Sequence, residues 1–152
     1  MTILQYDSSH RTHLETMLVD YFTELSAGIP EPVIREKILN LILNEHSRDI
    51  LRIAIALENR IPMGFSIYQI DSPRSDWCKY PGWGSIREFY IKPKYRCLGH
   101  GSQLAAWTDQ QLRLMGAVKL YLTADDAIPF WQHCGYSNSH EFSSNELEIL
   151  TK

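Results

Sequence analysis

SIREFYI at 85–91 and VKLYLT at 118–123 are both rich in β-forming residues. Between them lies one helical stripe, Leu104, Ala105, Thr108, Leu112 and Met115, closed by Gly116 as a natural C-terminal stop. A strand, one helix and a second strand in this order predict a right-handed crossover with the two strands as parallel neighbours. The helix opens with YRCLGHGSQL at 95–104, which spaces Arg96, Gly99 and Gly101 as R-x-x-G-x-G. Glycine is about 1 kcal/mol worse than alanine inside a helix. Two of them at a helix start imply that something approaches the backbone closely.

The remaining elements fall on either side of this unit. TILQYD at 2–7 reads as a first strand, and Asp7, Ser8 and Ser9 offer helix N-caps. Leu14, Met17, Leu18, Tyr21, Phe22 and Leu25 then form an apolar stripe. Gly28, Pro30 and Pro32 break it, and Ile34, Ile38, Leu41 and Ile42 start a second. LRIAIAL at 51–57 and MGFSIYQI at 63–70 read as an antiparallel hairpin, and the turn-rich DSPRSDWCKYPGWG at 71–84 as a long loop. In VKLYLT, Val118, Leu120 and Leu122 alternate onto one face, DDAIPFWQHCGY at 125–136 suits a short capped helix, and the chain closes on a hairpin that turns near 143–145. The order β-α-α-β-β-β-α-β-α-β-β predicts an α/β (α+β) fold in one domain, 1–152, with helices on both faces of a mixed, mostly antiparallel sheet.

Composition excludes several classes. With 152 residues and a net charge of −3, the chain lacks the basic balance of a general nucleic-acid binder. The three cysteines, Cys78, Cys97 and Cys134, form no C-x-x-C pair, so neither a zinc site nor a disulfide framework is indicated. His10 and His13 stand three apart at a helix start without a carboxylate pattern, and no metal is expected. His133 and Cys134 are adjacent on a helix and point in different directions, which argues against a nucleophile pair. No apolar run approaches the roughly 20 residues of a membrane span, and Asp7, Glu15, Asp20 and Glu24 interrupt any leader-like core. The expectation is a cytoplasmic protein with no membrane or nucleic-acid partner.

The glycines have two readings. A helix N-terminus presents free N–H groups and the positive end of the dipole, so a phosphate can rest there once side chains are removed. Arg96, Lys92 and Lys94 would raise the local positive potential. The other reading is a tight turn beside a solvated cationic edge. Two phosphate motifs fail on spacing. G-x-x-x-x-G-K-[ST] is absent, and the third glycine of a dinucleotide loop would fall where Leu104 stands.

At this point the residues resemble the GCN5-related N-acetyltransferases. Their [RQ]-x-x-G-x-[GA] motif, preceded by a strand and followed by a helix, is filled by Arg96, Gly99 and Gly101. AIPFWQHCGY at 127–136 is similar to a second family feature, an alanine, an aromatic pair and then glycine-aromatic. The element order matches as well, so the resemblance covers nearly the whole chain. It implies that the parallel strands splay and that acetyl-CoA lies in the gap. Its diphosphate would sit on the N–H groups of Leu98, Gly99, His100, Gly101 and Ser102, with Arg96 adding charge-assisted hydrogen bonds and Cys97 a small side chain tolerated in the same cofactor-binding loop. The backbone of Phe89, Tyr90 and Ile91 would bind the pantetheine and thioester, with Ile91 N–H as an oxyanion donor. Ala127, Phe130 and Trp131 would flank the other side.

The implied activity is transfer of acetyl to a primary amine of a small molecule or peptide, by direct attack in a ternary complex. Glu88 is the candidate base; its bland reading is a carboxylate paired with Arg87 or a lysine, and a base acting through water is as compatible with the sequence. Family members often carry an acid tyrosine where this chain has Trp131, and an indole is not a practical proton source. Either another group serves, with Tyr136 and Tyr90 as the candidates, or the thiolate leaves unassisted. The alternative function is a non-catalytic acyl-CoA-binding sensor or interaction module. The loop's Trp77, Tyr80, Trp83, Asp71 and Asp76 could cradle a cationic amine, pack the loop, or build a homodimer surface. The resemblance also implies that the region 21–31 completes the acceptor site.

Overall fold

A computed structural model describes residues 1–124 and 126–152. Strand β1 (Thr2–Gln5) leads into a 3-10 turn in which Asp7 accepts from Ser9 N at 2.8 Å, capping the entry to α1 (Arg11–Glu24). Leu14, Met17 and Leu18 are the buried part of its stripe, whereas Leu25 lies beyond the last turn and is exposed. Next come α2 (Glu31–Val33), a π-wound stretch (Ile34–Ile38) and α3 (Leu39–Ser47). In the π stretch Leu39 N donates to Ile34 O, five residues back. That wide turn puts Ile34, Leu39 and Ile42 on the buried face and leaves Leu41 exposed, so the 3/4 spacing read from the sequence loses its phase there.

Strands β2 (Arg52–Glu58) and β3 (Ile61–Ile70) form the expected hairpin, followed by β4 (Gly84–Ile91), α4 (His100–Leu114), β5 (Leu120–Ala124), α5 (Ile128–His133), β6 (Ser137–Phe142) and β7 (Glu148–Thr151). The sheet runs β1-β2-β3-β4-β5-β7-β6, with β4 and β5 as its parallel pair. Its other neighbours are antiparallel. Strand β5 starts two residues later than the alternation predicted: Val118 is exposed in the approach, and only Leu120 and Leu122 join the core. The expected helix at 125–136 begins on Asp125, which lies outside the described residues; α5 occupies the middle of that segment.

The central strands are covered on both faces, which explains why LRIAIAL shows so little polar alternation. Ile53, Ile55, Phe65 and Ile67 pack with Leu14, Met17, Leu18, Ile34 and Leu39 of the first helices. Ala54, Ala56 and Tyr68 pack on the opposite face with Leu104, Ala105 and Leu112 of α4. Each fully buried leucine or isoleucine contributes about 1.5–3 kcal/mol. These two layers hold β4 and the start of α4 in fixed relation, and everything chemical in the fold gathers where those two elements meet β5.

Candidate active site

The parallel pairing of β4 and β5 lasts two residue pairs, Gly84 with Leu120 and Ser85 with Tyr121, and then stops. The cause lies in β4. Opposite β3, Ile67 faces Glu88 but Tyr68 faces Ile86, so Arg87 is an extra, bulged residue. A bulge bends its strand and deepens its twist, and here it carries the second half of β4 away from β5. The result is a cleft of about 1090 Å³ lined by α1, the 72–83 loop, both splayed strands, the start of α4, α5 and the β6–β7 turn.

Backbone donors face this gap. Lys92 N donates to Met63 O on β3 at 2.8 Å. By the alternation of an antiparallel ladder, the N–H groups of Phe89 and Ile91 therefore point the other way, to the side β5 has left. At the far end, Gly99 takes a left-handed conformation at φ 83° as the N-cap of α4. Left-handed backbone is a conformation glycine adopts without a Cβ penalty. No side chain caps this helix. Its first i−4 bond, Gln103 N to Gly99 O at 3.1 Å, leaves the preceding N–H groups without an intrahelical acceptor. A Cβ on Gly101 would stand 3.1 Å from Phe130 Cε2, so only glycine lets α4 and α5 meet here without displacement. An uncapped helix start with no side chain on two of its residues fits a phosphate group.

Of the residues singled out in the sequence, the structure brings Glu88, Phe89, Tyr90, Ile91, Arg96, Cys97, Gly99, Gly101, Ser102, Ala127, Phe130 and Trp131 to the cleft wall. Phe89 stacks its ring near Phe130 and Trp131, at 5.9 and 5.0 Å, on the α5 side. Tyr90 turns the opposite way, 5.8 Å from Tyr21 on α1. Leu98 and His100 lie off the wall: the Leu98 side chain is exposed, and His100 Nδ1 is buried without a hydrogen-bond partner.

Two expectations need correction. Arg96 does not hold its guanidinium free for a phosphate; it makes a two-pronged ion pair with Glu24 on α1, at 2.6 and 2.8 Å, and donates to Ile91 O at 2.8 Å. Tyr136 does not reach the cleft. It is buried behind the sheet, where its hydroxyl donates to Asp109 at 2.6 Å, and burial, reinforced by that carboxylate, pushes its proton affinity far above the usual phenol range. A phenol so placed is not a usable acid.

Glu88 has a partner the sequence did not reveal. The bulge puts Arg87 and Glu88 on the same face, toward α1 and α3. Arg87 pairs with Glu45 at 2.8 Å and with Gln69 at 3.1 Å, not with Glu88. Glu88 Oε2 instead accepts from the Tyr21 hydroxyl at 2.5 Å. On the cleft wall, the Glu88 carboxyl is raised above the ordinary carboxylate range by desolvation, which the Tyr21 hydrogen bond and Arg87 only partly oppose. Tyr21 belongs to an apolar helical stripe, so periodicity marked it as core; nothing in one dimension places its hydroxyl beside a carboxylate 67 residues away.

A splayed parallel pair, with bare helix N–H groups at one end and a carboxylate on its wall, is the layout of an acetyltransferase cleft. A family model for the acetyltransferase (GNAT) family matches residues 11–136, and the chain belongs to that family. A search of curated sequences finds no match. Solved structures with the same fold include the PaiA N-acetyltransferase of Thermoplasma acidophilum in complex with coenzyme A. It is 18% identical, with a TM-score of 0.73, covering 100% of this chain and 99% of its own. The aminoglycoside N-acetyltransferase AAC(6')-Iy with CoA is 17% identical, with a TM-score of 0.75 over 93% of this chain and 91% of its own. The ribosomal-protein-alanine N-acetyltransferase of Brucella melitensis is 16% identical, with a TM-score of 0.70 over 99% of this chain and 97% of its own. Among the described residues, no cluster of histidine, cysteine and carboxylate groups could hold a metal, and no helix is long and apolar enough to cross a membrane.

Proposed function

We propose that the protein transfers an acetyl group from acetyl-CoA to a primary amine of a small molecule or peptide, in a ternary complex without a covalent enzyme intermediate. The observation that carries this reading is the two-residue parallel pairing of β4 and β5, which opens a gap directly onto the uncapped start of α4. The N–H groups from Leu98 to Ser102 would hold the diphosphate, and the walls formed by Phe89, Ala127, Phe130 and Trp131 would flank the pantetheine. Acetyl-CoA supplies a carbonyl bearing a thiolate leaving group. The Ile91 N–H, pointing into the gap, would stabilise negative charge on that carbonyl oxygen. Glu88 would take the proton shed by the attacking amine as the N–C bond forms and the C–S bond breaks; a base with raised proton affinity suits work near neutral pH. The thiolate leaves with its electron pair, protonated by solvent or by a group other than Tyr136.

A second reading, a non-catalytic acyl-CoA-binding module, draws support from Trp131 in the place of the usual acid tyrosine and from the sequestration of Tyr136. Thiol release from acetyl-CoA across a panel holding a polyamine, an aminoglycoside, an amino acid and a peptide separates the two. Turnover on any amine supports the enzyme. A coenzyme A thermal shift without turnover on the whole panel supports the module. For the loop itself, Gly101→Trp is expected to abolish the thermal shift with CoA, and an undiminished shift would take α4 out of the site.

A further inference from the structure

We propose that Tyr21 is the positioning residue for Glu88: its hydroxyl fixes Oε2 from the α1 side and leaves Oε1 as the oxygen that meets the acceptor amine. This inference rests on the reading of Glu88 as the base. Its geometry is that of a built contact. Tyr21 donates to Glu88 at 2.5 Å, and its ring is wedged between Phe65, Phe22 and Tyr90, at 5.7, 5.0 and 5.8 Å. Three aromatic neighbours from α1, β3 and β4 leave the phenol little freedom, so the hydroxyl is held where the carboxylate needs it. Both residues line the cleft, and Glu88 Oε1 has no hydrogen-bond partner among the described residues.

A phenol in this position does two things. It selects one carboxylate rotamer, because an O–H donor on one oxygen fixes the plane of the other. It also favours the ionised form of the group, since a carboxylate accepts from a donor better than a carboxylic acid does. That opposes the burial which would otherwise leave the base protonated and inert.

Other titratable groups share the cleft with Glu88. On α1 there is Glu24, and on β4 Arg87 and Tyr90; the loop contributes Asp76, Cys78 and Lys79. Tyr121 lines it from β5, and Arg96, Cys97 and Asp126 lie toward the start of α4 and α5. Arg87 and Arg96 are committed to Glu45 and Glu24 respectively. Tyr121 donates to Asp71. Tyr21 is the neighbour whose hydrogen bond to the Glu88 carboxylate the structure records.

Tyr21→Phe keeps the ring and removes the donor. The ligand-free protein is labelled with 13C at glutamate carboxyls, and the Glu88 resonance is identified by its loss in Glu88→Gln. Its titration midpoint is expected to rise by about one pH unit in Tyr21→Phe. With acetyl-CoA and whichever panel amine turns over, the acid limb of kcat/KM is expected to move up by the same amount. Activity should fall about tenfold below that limb and recover above it, with the CoA thermal shift intact. A midpoint that stays put overturns the role of Tyr21 and leaves Glu88 untouched as the base. A midpoint that moves while Glu88→Gln retains the wild-type pH profile overturns the base, and the inference with it.

Discussion

Tyr136 shows how much a single hydroxyl's surroundings decide. From sequence it stands at a position where acetyltransferases of this type place aromatic residues, and a phenol is a reasonable proton donor. In the fold it is 2% exposed, and its bond to Asp109, itself paired with Lys152 at 2.7 Å, belongs to the packing of α4 against the sheet. Tyr136→Phe should therefore cost about 1.5–3 kcal/mol of stability, the worth of one buried hydrogen bond to a charged group, and leave kcat unchanged. Urea unfolding and steady-state kinetics check the two halves; a fall in kcat with stability preserved would return Tyr136 to the chemistry. Glu88 is the converse case. Its place on the strand before the glycine motif was legible, but its partner was not, because hydrogen bonds between residues far apart in the chain leave no periodic trace.

On the proposed function, the element that would most shape the acceptor side is the loop between β3 and β4. Its turn-rich composition read as a long loop, and a buried carboxylate organises it. Asp71 is 1% exposed and accepts from Lys79 N at 2.8 Å, Tyr80 N at 3.0 Å and Gln69 Nε2 at 2.9 Å, as well as from the Tyr121 hydroxyl. Tyr80 in turn donates to Glu141 on β6 at 2.6 Å, and that carboxylate pushes the phenol up to about 12, so the tie holds throughout the neutral range. Tyr80, Trp83 and Tyr121 pack together, which leaves Trp77 as the loop's exposed aromatic over Arg87. Asp71→Ala strands these donors and should cost about 3 kcal/mol or more. On the proposed function the loop would border the acceptor rather than the diphosphate, so the expected signature is a raised KM for the amine with the CoA thermal shift retained. Loss of the CoA shift in a folded variant would contradict that division.

At the scale of the molecule, the cleft exists because two strands pair briefly and then part. Gly84 sits at the apex, where a Cβ would meet Leu120 Cδ2 at 2.8 Å and the Cβ atoms of Ala117 and Leu112 at 3.1 Å. Gly84→Ala should wedge the strands where they still pair and destabilise the fold by about 1–3 kcal/mol, read by urea unfolding; an unchanged midpoint would mean the apex is not under packing constraint. Ligand binding acts in the other direction. Coenzyme A at 100 times its Kd should add about 2.7 kcal/mol, or roughly 2–4 °C of Tm per kcal/mol for a chain of this length. A Tm that does not move at saturating coenzyme A would remove the basis of the proposed reaction.

By itself the sequence determined the parts whose physics is local. Strand and helix order follow from apolar period, the helix start from two glycines, and the crossover from one helix between two strands. These depend on residues a few positions apart, so they survive in one dimension. The tertiary structure decided what depends on distant partners. It inserted β7 between β5 and β6 and bulged β4 at Arg87, which opened the gap. It also turned Arg96 to Glu24, took Tyr136 behind the sheet, and set Tyr21 against Glu88. Burial and pairing across the sheet are properties of the packed chain, and side-chain chemistry in the cleft is fixed only once packing has chosen each group's neighbours.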